Sequence, residues 1–192
     1  ENFYSSDWEK FGDDDDEILA DDIENMTESA NLRSRLSLGP RRKAREFALL
    51  GVYESLINES ADFAAIDANL LSVITDEGSP VAGCDLSSED FDHCDQEFYR
   101  DILDGVIKGK GELLETLSRH LDRDPQRLSV VERACLMIGT WEMKNCPQIP
   151  YRVVINEAVE LCKVFGADRG YKLVNGVLDK VASELRPAEH EA

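Results

Sequence analysis

From Pro40 onward the apolar residues recur at helical spacing. Ala44, Ala48, Val52 and Leu56 fall every four residues, with Phe47 and Tyr53 beside them. This stripe predicts an amphipathic helix over roughly 41–58. Pro40 is suited to open it, because a first-turn residue needs no N–H donor. Phe63, Ile66, Leu70, Leu71 and Ile74 predict a second helix at roughly 61–75, and Gly78, Pro80 and Gly83 mark the loop that follows. A third helix is expected to start at Ser87 or Ser88, ahead of Glu89 and Asp90. Its apolar positions are Phe91, Phe98, Ile102, Leu103, Val106 and Ile107. Gly109 and Gly111 are expected to interrupt it, before Leu113, Leu114, Leu117 and Leu121 resume the pattern. Asp124-Pro125 ends that stretch.

Ser129 and Glu132 have the spacing of a capping box, in which the hydroxyl caps one backbone N–H and the carboxylate reaches back to another. A helix to about 144 follows, with Ala134, Cys135, Ile138 and Trp141 on one side, until Pro147 and Pro150 break it. Pro150 can open the next helix, with Val154, Ala158, Leu161 and Phe165 on its core face and Gly166 as its C′ residue. Asp168 is placed to cap a last helix through Leu173, Val177, Leu178 and Val181, ended by Pro187. No convincing strand pattern occurs, so the expected fold class is all-α with about seven helices. The chain divides into an acidic extension at 1–39, a helical domain at 40–187 and a tail at 188–192.

Charge changes this picture at the N-terminus. The chain of 192 residues carries a formal charge of −19. Twelve acids and three bases give residues 1–39 a charge of −9, which leaves −10 on residues 40–192. Self-repulsion in Asp13–Glu17 predicts that the extension is disordered, apart from a transient helix near 17–26. Any binding of nucleic acid must come from a local basic patch. Five cysteines without a Cys-x-x-Cys predict reduced cytoplasmic thiols, with Cys135 and Cys162 as small core residues. No membrane-spanning apolar run and no secretory signal are read. The chain begins with Glu, which reads as processed, trimmed or partial.

Two groups could carry chemistry. Arg41, Arg42, Lys43 and Arg45 stand in the first turns of the first helix, where the macrodipole favours acids. Bases placed there suggest a bound anion, to which the free N–H groups of the helix start would also point. The alternative is a solvated helix end, paired with the acidic extension. Arg169 and Lys172 flank Tyr171 at the start of the last helix, a grouping that suits stacked bases and paired phosphates of single-stranded RNA. Its alternative is an exposed helix start. Tyr53 reads either as a core residue with its hydroxyl at the rim or as an edge contact for RNA or a partner. Gly105 to Gly111 is one residue short of a phosphate loop and lacks its Ser/Thr. Cys94 between His93 and Asp95 has no matching second half, and the Asp13–Glu17 run lacks the spacing of a calcium loop, so no metal or cofactor is expected. His120 and His190 have no nucleophile at a recognisable spacing, and no enzyme is expected.

Two separated strings, RRKARE at 41–46 and IPYRVVINEAVELCKVFGADRGYKLVNGVLDKVASELRP at 149–187, make the chain resemble the NusB family of transcription antitermination proteins. The resemblance covers roughly 40–60 and 98–187 and is weak over 61–97. It implies an all-helical fold of two packed subdomains. It also implies a partner, the small-subunit ribosomal protein of the NusE type, and a single-stranded boxA-like RNA gripped by the pair. The complex would help RNA polymerase read through terminators, notably in rRNA operons. Carried over by position, Arg41, Arg42, Lys43 and Arg45 would contact RNA, with Lys172, and with Arg169 where some relatives have an acid. Tyr53 would lie at the shared RNA and protein surface, and Glu132 and Arg133 would face the protein partner. Leu173 stands where some relatives have an aromatic residue. Two rival functions remain, a protein-interaction module with an acidic surface and the accessory domain of an RNA methyltransferase. The second would be followed by a long cofactor-binding region, whereas this sequence stops at Ala192. Some relatives self-associate, so a homodimer that hides the RNA surface is a further expectation. The acids of 1–39 are placed to fold back on Arg41–Arg45 and compete with RNA, or else to form an inert extension.

Overall fold

The structure, a computed structural model, describes residues 39–75, 86–165 and 169–192. The expectations for the N-terminal extension, for most of the 76–87 loop and for caps at Gly166 and Asp168 lie outside these residues.

The stripe read from Ala44 to Leu56 faces inward on α1 (Pro40–Ile57), where Ala44, Phe47, Ala48 and Val52 are fully buried. Pro40 opens the helix after Gly39, whose φ of 86° is comfortable only for a residue without Cβ. α2 (Phe63–Thr75) buries Ile66 and Leu70 against α1. A Ser87–Asp90 capping box starts the short α3 (Ser88–His93). The chain then breaks at Cys94, and Asp95 caps α4 (Gln96–Ser118) by accepting from the Phe98 N–H at 3.0 Å.

This corrects the sequence reading in two places. The interruption falls at Cys94–Asp95, where Cys94 ends α3 and Asp95 caps α4. It does not fall at Gly109 and Gly111, through which α4 runs unbroken. Each internal glycine costs about 1 kcal/mol relative to Ala. The packing of α4 against both α1 and α5 outweighs that cost.

A 3₁₀ turn at Pro125–Arg127 leads to α5 (Val130–Asn145), which starts with the expected Ser129–Glu132 capping box. α6 (Tyr151–Phe165) and α7 (Gly170–Leu185) pack side by side on α5. Cys135 and Cys162 are core residues, as expected, and so are Cys94 and Cys146. Pro187 ends α7 but also opens a short α8 (Pro187–His190). There Glu189 accepts the Tyr151 N–H at 2.8 Å and binds Arg186 at 2.7 Å.

Eight α-helices and no strand therefore form among the described residues, in two packed sets, α1–α4 and α5–α8. An edge-to-face aromatic row, Phe47–Phe91–Tyr99, with centroids 5.1 and 5.4 Å apart, fills the first. The sets meet where α5 lies across α1 and α4. At Gly105 a Cβ would stand 2.0 Å from the Trp141 indole nitrogen, so glycine is required for that approach. The result fixes α6 beside the start of α1 on one flank and beside α7 on the other.

Candidate nucleic-acid interface

The four cations at the start of α1 have four different surroundings. Arg45 points into the join between the two sets and is 4% exposed. Its Nε and Nη2 donate to both oxygens of Glu142 on α5, at 2.7 to 3.1 Å. Burial pushes the Glu142 carboxyl upward, opposed by Arg45. This is a sealed ion pair of the core, in which each charge depends on the other for compensation. Arg42 makes a second two-pronged pair, with Nε and Nη2 donating to Glu157 of α6 at 3.0 and 2.8 Å. Those bonds hold the Arg42 guanidinium above its ordinary value.

Arg41 and Lys43 are the open members. The Arg41 side chain is half exposed, its Nε stands 3.6 Å from Asp95, and its guanidinium lies 4.7 Å from the Phe98 ring centre. Arg45 lies 5.0 Å from the same ring, so one aromatic orients two guanidinium groups. Lys43 reaches Glu46 at 3.3 Å within its own helix. Burial raises the Glu46 carboxyl, and Lys43 partly offsets this. No acid stands in the first turn of α1, so nothing on that turn answers the positive end of its dipole.

The second group lies across α6. Arg169 takes the left-handed backbone conformation at φ 68° and is exposed, as is Lys172. Among the described residues neither has an ion-pair partner. Tyr171 is half-buried, with Lys163 of α6 5.0 Å from its ring centre. Glu157, which meets α1, and Lys163, which meets α7, are six residues apart, or about 9 Å along the α6 axis. The helix thus meets the start of α1 through Glu157 and the start of α7 through Lys163.

Tyr53 is buried at 8% exposure within the core cluster. Glu132 is committed to its capping box and also packs against the start of α7, where a Cβ on Gly170 would stand 2.8 Å from its Oε1. Arg133 donates from Nη1 to Gln126 at 2.8 Å, while its buried Nε has no partner. Glu132 is therefore close to α7, and Arg42 and Arg45 reach Glu157 of α6. The sequence reading did not find Glu142, Glu157, Phe98 or Lys163 as partners. Only Glu142 left a trace, as the single charged residue between Ala134 and Met143 of α5.

Among the described residues no group of three or more His, Cys, Asp or Glu could hold a metal, and no helix is long and apolar enough to cross a membrane. The fold and these surfaces define an all-helical, two-bundle protein with basic helix starts arranged along one helix. Residues 42–183 match the NusB family, and the chain belongs to it. The transcription antitermination protein NusB of Burkholderia lata is 45% identical over 152 residues, covering 79% of this chain and 94% of that protein. The protein of the same name from Cupriavidus pinatubonensis is 42% identical over 149 residues, 78% of this chain and 80% of that one. Among solved structures, T. maritima NusB superposes with a TM-score of 0.61 at 26% identity, covering 80% of this chain and 97% of that one. A crystal structure of the antitermination factors NusB and NusE in complex with dsRNA superposes with a TM-score of 0.58 at 21% identity, covering 76% and 97%. That likeness shows the fold alone.

Proposed function

We propose that the protein is a non-catalytic transcription antitermination factor. It binds single-stranded boxA-type RNA together with a ribosomal protein of the NusE type. In the cytoplasm the pair joins the antitermination complex of RNA polymerase and promotes read-through, notably of rRNA operons. The observation that carries this reading is the pair of cation groups on the two flanks of α6, in a chain of this family. Arg41, half exposed, and Lys43, one-third exposed, supply charge on one side. Arg169 and Lys172 supply it on the other, with Tyr171 between them.

Base stacking and phosphate pairing are the interactions a single strand offers. Arg45, sealed against Glu142, acts by holding α1 in place and not by touching RNA. Glu132 lies at the start of α5 against α7, with Arg133 tied to Gln126 beside it, where a protein partner can meet RNA held at Arg169 and Lys172. The −10 charge of residues 40–192 favours a basic partner such as a ribosomal protein.

The test is fluorescence anisotropy of a labelled boxA-like RNA and a scrambled control, with and without the NusE-type protein, over a salt series. Specific binding that strengthens with the partner is expected. Arg41→Ala with Lys43→Ala should weaken it and flatten the log–log salt slope by about 1.4, at roughly 0.7 per phosphate contact on a single strand. Partner binding with no preference for boxA would favour the second reading, a protein-interaction module, which the acidic body also supports.

A further inference from the structure

Arg42 stands between Arg41 and Lys43, yet its guanidinium is already bonded as a phosphate would bond it. Two nitrogens donate to the two Glu157 oxygens at 2.8 and 3.0 Å, the fork geometry by which arginine takes up oxyanions. The crevice around this pair, lined by Arg42, Glu46, Glu157, Glu160, Leu161 and Val164, has a volume of about 10 Å³. A water is the most it could admit. RNA can therefore meet Arg42 only if the guanidinium turns outward.

The geometry permits that turn. The Arg42 side chain is 17% exposed, against 5% for Arg45, so it lies at the rim. Glu157 would not be left alone, because Arg45 Nη1 stands 3.9 Å from its Oε2. The carboxylate can pass from two guanidinium neighbours to one without becoming an isolated buried charge, which is the costly outcome.

We propose that Glu157 is a specificity-determining residue, a built-in competitor that occupies Arg42 in place of RNA phosphate. The proposal rests on the RNA reading above. At first encounter α1 offers Arg41 and Lys43 only. Glu157 is attached to the same molecule, so its effective concentration at Arg42 is high. A strand displaces it only when its other contacts hold a phosphate at that position. Loosely held RNA meets two cations on α1, and well-held RNA meets three.

The experiment compares wild type, Glu157→Gln, Arg42→Ala and the double variant. RNA anisotropy is read over a salt series with boxA-like and scrambled RNA, and circular dichroism confirms the fold. Glu157→Gln should tighten binding to the scrambled RNA by about fivefold at low salt. It should steepen the log–log salt slope by about 0.7, one added phosphate contact. Arg42→Ala alone should change scrambled-RNA affinity less than twofold, but should abolish the gain in the Glu157→Gln background. Unchanged or weaker binding by a folded Glu157→Gln protein overturns the proposal. Should that variant fail to fold, Arg42→Ala decides alone: near-wild-type binding to scrambled RNA with weakened binding to boxA-like RNA upholds the proposal, and any other result, including a loss on scrambled RNA as large as that of Arg41→Ala, overturns it. If wild type binds no RNA, the RNA reading fails and this proposal with it. Binding by wild type without the Glu157 effect sinks the proposal alone.

Discussion

The starts of α1 and α7 look alike as sequence, each a cluster of bases in a first helical turn, and they differ in almost everything else. At α1 every one of the four cations faces a carboxylate. Asp95, Glu157, Glu46 and Glu142 stand opposite Arg41, Arg42, Lys43 and Arg45 in turn. At α7 the two cations are fewer and exposed, without an ion-pair partner among the described residues, and a half-buried tyrosine lies between them. Density of charge along a chain therefore does not measure the charge available to a ligand. The α1 cluster contributes much of its charge to holding two helical sets together, whereas that of α7 has no ion-pair partner among the described residues.

The contrast is broken most forcefully at Arg45. Arg45→Ala leaves Glu142 charged in the core, where the loss of a buried partner costs about 3–5 kcal/mol. A large drop in thermal or urea stability is expected. Burial already raises the Glu142 carboxyl, and removal of Arg45 raises it further, so in this variant the group can lose its charge by protonation. The loss should therefore be smaller at pH 5 than at pH 8. Combining Arg45→Met with Glu142→Leu should recover most of the stability. A fully stable Arg45→Ala protein would mean that the pair is not sealed and that Arg45 is available to RNA after all.

Arg169→Ala and Lys172→Ala should do the reverse. Each should weaken RNA binding and flatten the log–log salt slope by about 0.7. As exposed surface changes they should move stability by no more than about 0.5 kcal/mol. Unchanged RNA affinity in both would assign the whole interface to α1.

This division explains what could be read from the chain. Most of the helices were legible because a repeating apolar face follows a local start signal: Pro40 for α1, the Ser129–Glu132 box for α5, Pro150 before α6. The break at Cys94–Asp95 was not. Asp95 caps α4, but the apolar positions Phe91 and Phe98 continue in helical register across it. The passage through Gly109 and Gly111 was also hidden, because tertiary packing overrides a local propensity there. Within the site, the cations were visible as residue types and their availability was not. Arg42 and Glu157 are 115 positions apart, and Arg45 and Glu142 are 97 apart. Nothing local marks such pairs except an acid where an apolar residue would be expected.

The smallest effect belongs to a solvent-exposed ion pair, in contrast to Arg45–Glu142. Arg119 at the end of α4 donates to Glu184 of α7 at 2.7 and 2.8 Å, and His120 Nε2 stands 3.2 Å from the same carboxylate. The hydrogen bonds from Arg119 draw the Glu184 carboxyl down to about 2 against its desolvation, with His120 adding to the lowering. A carboxyl depressed in the fold stabilises it above the unfolded value of about 4.3. That contribution is lost as pH falls from there toward 2. The pair is open to solvent, so screening reduces it to the small contribution usual for surface pairs. Glu184→Gln should lower the thermal midpoint at pH 7 by no more than about 2 °C, and the difference from wild type should shrink between pH 4.5 and 2.5. A loss as large as that of Arg45→Ala would show that exposure does not separate structural from available charge in this fold, and the same inference for Arg169 and Lys172 would then fail.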